Sequence, residues 1–309
     1  MKQNLHIESL SNGLGGQSVR LFLMACRREI PATVSITADT GWEFDRLWSN
    51  GRRASSKVYF DEVITPLALQ YGFDARFVQA VDENKKPLPA LIEHTRWCAT
   101  SGKFNNLKIP MFGSKGGRLL QSCTQKWKIR AINQELRRMG AKTACTYQGI
   151  HSGESSRRVS GWYLHQHKDA PWISVYQDTV KVTKKDAEGN RVKTEKAVKW
   201  LTHAYPLVDM NENREICRLH IAGEKIPYLI SSECDGCPHK DLPRWERTDP
   251  AVLKDLAELE ALFNGEFFFT DKRIPLLQAI EAMKKERTDN PKKYDRDADF
   301  GCQNAICGV

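Results

Sequence analysis

The feature that most constrains the fold of this chain is a glycine-rich turn near the N-terminus, between a predicted strand and a predicted helix. The segment LHIESLS alternates apolar and polar residues, and SVRLFLMACRRE carries apolar residues at helical spacing. A second strand follows at 32–37 and ends in a polar cluster, Asp39 to Glu43. Strand, helix and strand at this spacing form a βαβ unit, so we expect an α/β fold with a parallel sheet and right-handed crossovers.

The turn has the residue types of an anion-binding loop. Its small and polar residues are Ser11, Gly13, Gly15, Gly16, Gln17 and Ser18. Backbone N–H groups of such a loop converge on a phosphate, and the start of the following helix adds partial positive charge. A plain strand-to-helix turn, in which glycine only relieves backbone strain, explains the turn alone equally well. Asp39 and Thr40 favour the anion-binding site over the plain turn. They follow the second strand, and the carboxyl ends of parallel strands, where ligands bind, meet at one edge of the sheet.

Composition restricts the class of protein. The chain has 309 residues, of which 40% are hydrophobic, so we expect one large domain or two of ordinary size. It contains no apolar run approaching about 20 residues, which predicts no membrane partner. The N-terminal residues include no secretory apolar region, so we expect a cytoplasmic protein. The net charge of +9 favours polyanionic partners.

Further elements follow downstream. We expect a helix near Asp45, a strand at 77–81, a loop at 98–117 and a basic helix in CTQKWKIRAINQELRRMGA that stops at Gly140. A β-hairpin is predicted at about 172–200, inserted in the α/β pattern, and a helix at 251–263. We expect a nucleotide-binding domain at 1–230 and a cysteine-bearing region at 231–309 that packs on its carboxyl edge.

Several segments, in order, resemble a known family. GGQS, ADTGWE, CTQKWKIRAI, GIHSGESSRR, YPLVD and SSECDGCP are similar to successive motifs of the phosphoadenosine-phosphosulfate (PAPS) reductase-like branch of the PP-loop ATP pyrophosphatases. The terminal CGV resembles the end of some phage and bacterial members. The resemblance implies a three-layer adenine nucleotide alpha hydrolase-like (HUP) domain. It also implies ATP and Mg²⁺ as ligands and cleavage of ATP between its α and β phosphates.

The resemblance implies roles for particular residues. The turn residues, with Asp39, Thr40, Gly149 and Glu154, would bind the nucleotide. The cations that would stabilise phosphate charge are Lys126, Lys128, Arg130 and Arg158. Lys126 and Arg130 are expected on one helix face, since they are four residues apart. Gln17 stands where many relatives have Lys-Asp, so the phosphate contact would rely on backbone N–H groups and on these cations.

The cysteines suggest a metal centre. Cys234 and Cys237 form a CxxC pair, and Cys302 and Cys307 form a looser pair near the C-terminus. By the resemblance, a [4Fe–4S] cluster would be held by Cys123, Cys234, Cys237 and one of the two C-terminal cysteines. Zinc, which takes four thiolates as the cluster does, is one alternative, and cysteines that bind no metal are the other. Cys98 is the reserve ligand, and buried structural roles are expected for Cys26, Cys145 and Cys217.

The predicted hairpin suggests a DNA or RNA partner. Its cations are Lys181, Lys184, Lys185, Arg191, Lys193, Lys196 and Lys199. Trp172 and Trp200 flank them, and cations with aromatic residues suit a nucleic-acid backbone. A solvated ribbon whose lysines block edge pairing is the alternative. Oligomers are compatible with the sequence.

The sequence is compatible with three functions. The first is adenylation of an acceptor, for sulfur transfer to a nucleic acid or nucleotide. The second is a thioredoxin-dependent sulfonucleotide reductase, which the missing ECGLH-type thiol motif disfavours. The third is a non-catalytic nucleotide-binding protein of phage or defence systems.

Overall fold

A seven-stranded sheet forms the centre of the computed structural model, which describes residues 5–157, 161–185, 191–231 and 233–289. The strands lie in the order β5-β2-β1-β7-β10-β9-β8. Their bounds are β1 His6–Ser11, β2 Val34–Asp39, β5 Asp74–Gln79, β7 Thr143–Gln148, β8 Gly161–His167, β9 Ala170–Lys185 and β10 Arg191–Ala204. Two short pairs lie outside it: β3 Arg46–Leu47 with β4 Arg53–Ala54, and β6 Phe112–Gly113 with β11 Phe267–Phe268.

Helices cover both faces of the sheet. One face carries α1 Gly16–Cys26, α2 Ser56–Tyr59, α3 Thr65–Tyr71, α6 Pro206–Asp209 and α7 Arg214–Gly223. The other carries α4 Leu91–Ser101, α5 Arg130–Arg138, α8 Leu242–Glu246, α9 Pro250–Ala261 and α10 Leu276–Asp289. The sheet therefore separates two apolar cores, and the predicted α/β class with three layers and a mostly parallel sheet is confirmed.

The order of the five parallel strands reverses beside β1. β1 pairs in parallel with β2 on one side and with β7 on the other, so the chain turns in opposite directions after β1 and after β7. In open α/β sheets, ligands bind outside the carboxyl ends of strands at such a point. Ser11, Asp39 and Gln148 are the last residues of three neighbouring strands there.

The structure corrects several predicted elements. No helix begins near Asp45, where β3 follows instead; the helix starts at Ser56, capped by the Ser55 hydroxyl, which accepts from Val58 N. The strand predicted at 77–81 runs from Asp74 to Gln79, and Cys98 lies in α4 rather than in a loop. Apolar spacing alone did not place these boundaries because tertiary packing sets them.

The predicted hairpin exists, but it belongs to the main sheet. β9 and β10 pair antiparallel from Arg191↔Lys185 to Ala204↔Val175, with a register shift between Ala197 and Thr202. After that shift, β10 pairs in parallel with β7, from Leu201↔Ala144 to Ala204↔Tyr147. One strand therefore serves both the hairpin and the parallel sheet. Across the part of the chain that the structure describes, no helix is both long and apolar enough to cross a membrane.

A buried ion pair fixes α1, whose first residues form the glycine-rich turn. Arg20 of α1 donates from Nε and Nη2 to the two carboxylate oxygens of Glu212, at 3.2 and 3.1 Å. Each side chain is only 10% exposed. Removing one partner of such a pair leaves an uncompensated buried charge, which costs far more than loss of a surface pair.

We predict that Arg20→Met lowers the free energy of unfolding by about 3–5 kcal/mol, whereas Arg20→Met/Glu212→Leu recovers most of it. Lys57→Met, which breaks the exposed Lys57–Asp61 pair, should cost about 0.5 kcal/mol or less. Urea unfolding at neutral pH measures all three. Equal losses for Arg20→Met and Lys57→Met would contradict this role of the buried pair.

Candidate functional site

The glycine-rich turn after β1 is built by an asparagine that sequence reasoning missed. Asn12 is buried, and its side-chain oxygen accepts from Leu14 N at 2.9 Å, which holds Leu14 in the left-handed region with φ 60°. The Gly13 amide donates to the Ser18 hydroxyl at 3.3 Å. Gly15 caps α1 and Gly16 begins it, so the turn points the start of the helix towards the carboxyl edge. An Asn before a Gly, the usual signal of such a turn, was present in the sequence.

Gly149 permits the close approach of β7 to this turn. A Cβ atom at Gly149 would lie 2.9 Å from Ser18 Oγ and 3.0 Å from Ser18 N. Only a glycine fits between the two backbones. Farther along the same loop, Glu154 contacts Arg214 at 3.2 Å and His151 at 3.5 Å. The predicted residues Gly149 and Glu154 thus lie in the loop that follows the strand next to β1.

The end of β2 supplies the carboxylates. Asp39 accepts from Gly41 N at 2.7 Å, and burial raises the pKa of its carboxyl group, with the neighbouring Glu43 adding to the effect. Gly41 has φ 66°, and a Cβ there would lie 2.5 Å from the Cβ of Ala90. The Thr40 hydroxyl lies 3.5 Å from the Cys234 sulfur. This loop therefore joins the turn region to the cysteines.

An ion pair connects this loop to the basic segment. Lys128 Nζ lies 3.3 Å from Glu43 Oε1, with side chains only 14% and 10% exposed. Burial alone would raise the pKa of Glu43, but Lys128, Arg46 and the Ser56 hydroxyl outweigh it, and the pKa is lowered. Glu43 is therefore an anion next to the Lys128 cation. Glu43 ends the ADTGWE segment, but the sequence alone predicts no role for it.

The segment that carries the predicted catalytic cations is π-helical. Residues Thr124–Ile129 form the π-helical segment, and α5 continues from Arg130. Such segments often occur at functional sites. Lys128 points to Glu43, Lys126 lies 5.3 Å from the centroid of the Trp127 ring, and Arg130 faces a groove beside α5. Lys128 is not distinguished by α-helical spacing, because the segment that carries it is π-helical.

The CxxC loop is clamped to the loop after β2. Asp235 N donates to Trp42 O at 2.9 Å, and the Asp235 carboxylate accepts from Phe44 N at 2.6 Å and Asp45 N at 3.2 Å. Gly236 packs directly on the indole of Trp42: a Cβ at Gly236 would lie 2.0 Å from Trp42 Cζ2. The two motifs, nearly two hundred residues apart in the sequence, therefore form one unit.

Three of the predicted metal ligands line one small cavity. Cys123, Cys234 and Cys237 share it with Thr40 and Lys128. Burial raises the pKa of the Cys123 and Cys234 thiols, and Lys128 opposes the effect at both. Cys98 instead contacts His94 at 3.7 Å within α4. Burial also raises the pKa of Cys26 and Cys217, each to about 12, and Cys145 is buried as well.

A buried histidine, His239, is hydrogen-bonded to residues beside the cysteine cavity. His239 is buried; its Nδ1 accepts from Arg118 at 3.0 Å and its Nε2 donates to the Gln121 side-chain oxygen at 2.8 Å. Gln121 in turn donates to the Thr124 hydroxyl at 3.0 Å, next to Cys123. This chain of hydrogen bonds links the CxxC loop to the π-helical segment. No spacing rule applied to the sequence pointed to it.

Several predicted residues lie outside the described part of the chain. They are Arg158, Cys302 and Cys307, and the side chains of Lys181, Lys184, Lys185, Arg191 and Lys193. Within the described ranges, no three His, Cys, Asp or Glu side chains are arranged to hold a single metal ion. A single zinc ion needs every ligand sulfur within about 2.3 Å of the metal, so the sulfurs must lie close together. In a four-iron cluster each cysteine binds a different iron, so the sulfurs lie farther apart.

No family model matches this chain, and a search of curated proteins finds no similar sequence.

We predict that Gly236→Ala lowers the free energy of unfolding by about 1–3 kcal/mol, because the added methyl group overlaps Trp42. Gly223→Ala is the matched control, since a Cβ there meets no atom within 4 Å. It should stay within about 0.5 kcal/mol of wild type. Urea unfolding measures stability, and alkylation rates of Cys234 and Cys237 report whether the loop has detached. Unchanged stability and alkylation in Gly236→Ala would contradict the clamp.

Proposed function

We propose that this protein is an adenine-nucleotide-binding enzyme of the PAPS reductase-like type. It would bind ATP, cleave it between the α and β phosphates, and adenylate an acceptor for sulfur transfer to a nucleic acid or nucleotide. The observation that carries the proposal is the convergence at one sheet edge of the turn after β1, the Asp39 loop after β2 and the Gly149 loop after β7. The Lys128–Glu43 pair and the CxxC loop lie beside the Asp39 loop.

The order of the parallel strands supports the finer fold assignment. Counted in chain order, the five parallel strands lie as 3-2-1-4-5, with the reversal between the first and the fourth. The glycine-rich turn and Gly149 flank that reversal. Ligands of doubly wound sheets bind there, with their phosphates at a helix N-terminus. We therefore propose the adenine nucleotide alpha hydrolase-like fold for this domain.

Adenylation joins an acceptor oxygen to the α phosphorus and breaks the bond to the bridging oxygen, whose electrons leave with pyrophosphate. The turn from Gly13 to Ser18 would bind the departing pyrophosphate through main-chain N–H groups. Lys128 would offset negative charge as it develops, and Lys126, Arg130 and Arg158 would act with it as the resemblance implies. Ser11, Gln17 and Thr40 would contact the nucleotide.

Mg²⁺ fits the end of β2. Magnesium is usually held by one or two carboxylates together with substrate phosphates. Asp39 ends its strand at the edge where the phosphates would lie, and its raised pKa reflects a carboxylate removed from water. Asp39 would hold the ion, which supplies charge neutralisation for the phosphates. Glu43, paired with Lys128, is a less available ligand.

A [4Fe–4S] cluster fits the cysteine cavity in its donor set. Cys123, Cys234 and Cys237 face the same space, and Lys128 beside them offsets thiolate charge. One of Cys302 and Cys307 would be the fourth ligand. Such a cluster would supply electron transfer or sulfur handling next to the nucleotide.

In the presence of an acceptor, we expect the purified protein to convert ATP into pyrophosphate and either AMP or an adenylated acceptor. Lys128→Gln should lower kcat by about 100-fold or more, because a positioned charge at the reacting phosphates is lost. Lys254→Gln, an exposed site on α9, is the matched control and should leave the rate unchanged. Labelled ATP resolved by chromatography gives the products. Release of phosphate and ADP would contradict the proposal; thioredoxin-dependent sulfite release from PAPS would establish the reductase instead.

We expect anaerobically purified protein to contain iron and to absorb broadly at about 400 nm. Cys234→Ala should lose the iron and the band, because a ligand facing the cavity is removed. Cys26→Ala, which removes a buried thiol of α1, should retain both. Metal analysis and the visible spectrum are the measurements. A colourless preparation that holds zinc would overturn the cluster and leave the zinc site.

A further inference from the structure

A second, larger groove lies over α5, and Arg130 is the one of its lining residues that also has a role in the proposed chemistry. Its volume is about 1050 Å³, and it is lined by the end of β5, the loop after it, the π-helical segment, α5 and Trp200 of β10. It starts near the carboxyl edge of the sheet, at Gln79 and Gln125, and includes Arg137 at the other end of α5. One end of this groove is therefore close to the edge where the nucleotide is proposed to bind.

The groove carries an excess of positive charge. Its cations are Lys85, Arg130, Arg137 and Arg138, against the two acids Asp82 and Glu135. Both acids are engaged internally: Asp82 accepts from Asn84 N and Lys86 N, and Glu135 pairs with Arg76 and Arg138. The ion pair that Arg130 forms among the described residues is a long one, with Glu83 at 3.9 Å. The charge that remains towards solvent is cationic, and it complements a polyanion.

The groove also offers a flat stacking surface. The Arg137 guanidinium lies on the Trp200 ring, 3.8 Å from its centroid, while Arg137 as a residue is exposed to solvent. One Arg137 nitrogen donates to Ala141 O at 3.0 Å, which fixes the plane. Unpaired bases stack on guanidinium planes and aromatic rings, whereas paired bases in a duplex have no exposed face. Gln125 and Asn133 add polar amides nearby.

We propose that the groove over α5 binds a single-stranded nucleic acid, with Lys85 and Arg130 on its phosphates and a base stacked on the Arg137–Trp200 pair. The inference rests on the proposed function only where it identifies this strand as the acceptor. Single-strand binding itself needs neither ATP nor the cysteines, so the two proposals can fail separately. The strand would run along α5 towards the carboxyl edge of the sheet.

The test uses the full-length protein and a fluorescein-labelled oligothymidine of about 15 nucleotides, without ATP or Mg²⁺. Fluorescence anisotropy is measured over a range of salt concentrations. Lys85→Gln/Arg137→Gln should weaken binding and reduce the slope of log K against log salt by about 0.7, since it removes one single-strand phosphate contact, that of Lys85, together with the stacking surface of Arg137. Lys225→Gln/Arg218→Gln removes the same charge from the opposite layer, and it should bind like wild type. Lys85 and Lys225 are both exposed, with φ 63° and 57°.

A second variant separates stacking from charge. Arg137→Lys keeps the charge but lacks the planar guanidinium, so it should keep the salt slope and bind at least about fivefold more weakly. An equal loss of affinity in Lys85→Gln/Arg137→Gln and in Lys225→Gln/Arg218→Gln would show that binding follows net charge alone, which would overturn the groove as the binding site. Duplex binding as tight as single-strand binding, competition by ATP alone, or an Arg137→Lys variant that binds like wild type would overturn the proposed mode. If the protein turns over ATP but does not bind the strand, only this inference is refuted. If it binds the strand but does not turn over ATP, only the proposed function is refuted.

Discussion

The site depends on the packing of Gly236 against Trp42. The Trp42 ring is buried at the centre of one apolar core and contacts Phe269, whose ring lies 5.8 Å from that of Trp245. Residues from the loop after β2, from the segment after β11 and from α8 thus meet at one aromatic cluster. Because the cluster includes Trp42, the loop after β2 cannot move without disturbing the core. The CxxC loop, which has no regular structure of its own, takes its position from this rigid neighbour.

The parallel core was predictable from the sequence because its signals are local. The alternation in LHIESLS, the helical spacing after the turn and the buried ATVSIT run each depend on nearby residues. The dual role of β10 was not predictable in this way. A strand that pairs with β9 along most of its length reads as half of a hairpin, and only its last four paired residues, Leu201 to Ala204, join β7. Nothing in its own composition distinguishes that part.

The site was predictable to the level of motifs, but not of individual contacts. Asp39, Lys128, Cys123 and Cys234 were all candidates, and the structure brings the last three around one cavity close to Thr40. Sequence spacing could not rank the cations, because a π-helical segment rotates side chains away from α-helical positions. It also could not find His239, Gln121 or Glu43 as partners, since each depends on a contact between distant segments.

The C-terminal helices α9 and α10 pack in the same apolar core as the central sheet. Leu256, Phe263 and Ile280 share a buried core with Val34 and Ile36 of β2. The third layer of the fold is therefore incomplete without α9 and α10. The Asp235 carboxylate accepts from the amides of Phe44 and Asp45, and this contact connects the C-terminal part of the chain to the loop after β2. The loop after β2 is thus held in place by residues far along the chain, so the stability of the C-terminal helices and the geometry of the site are coupled.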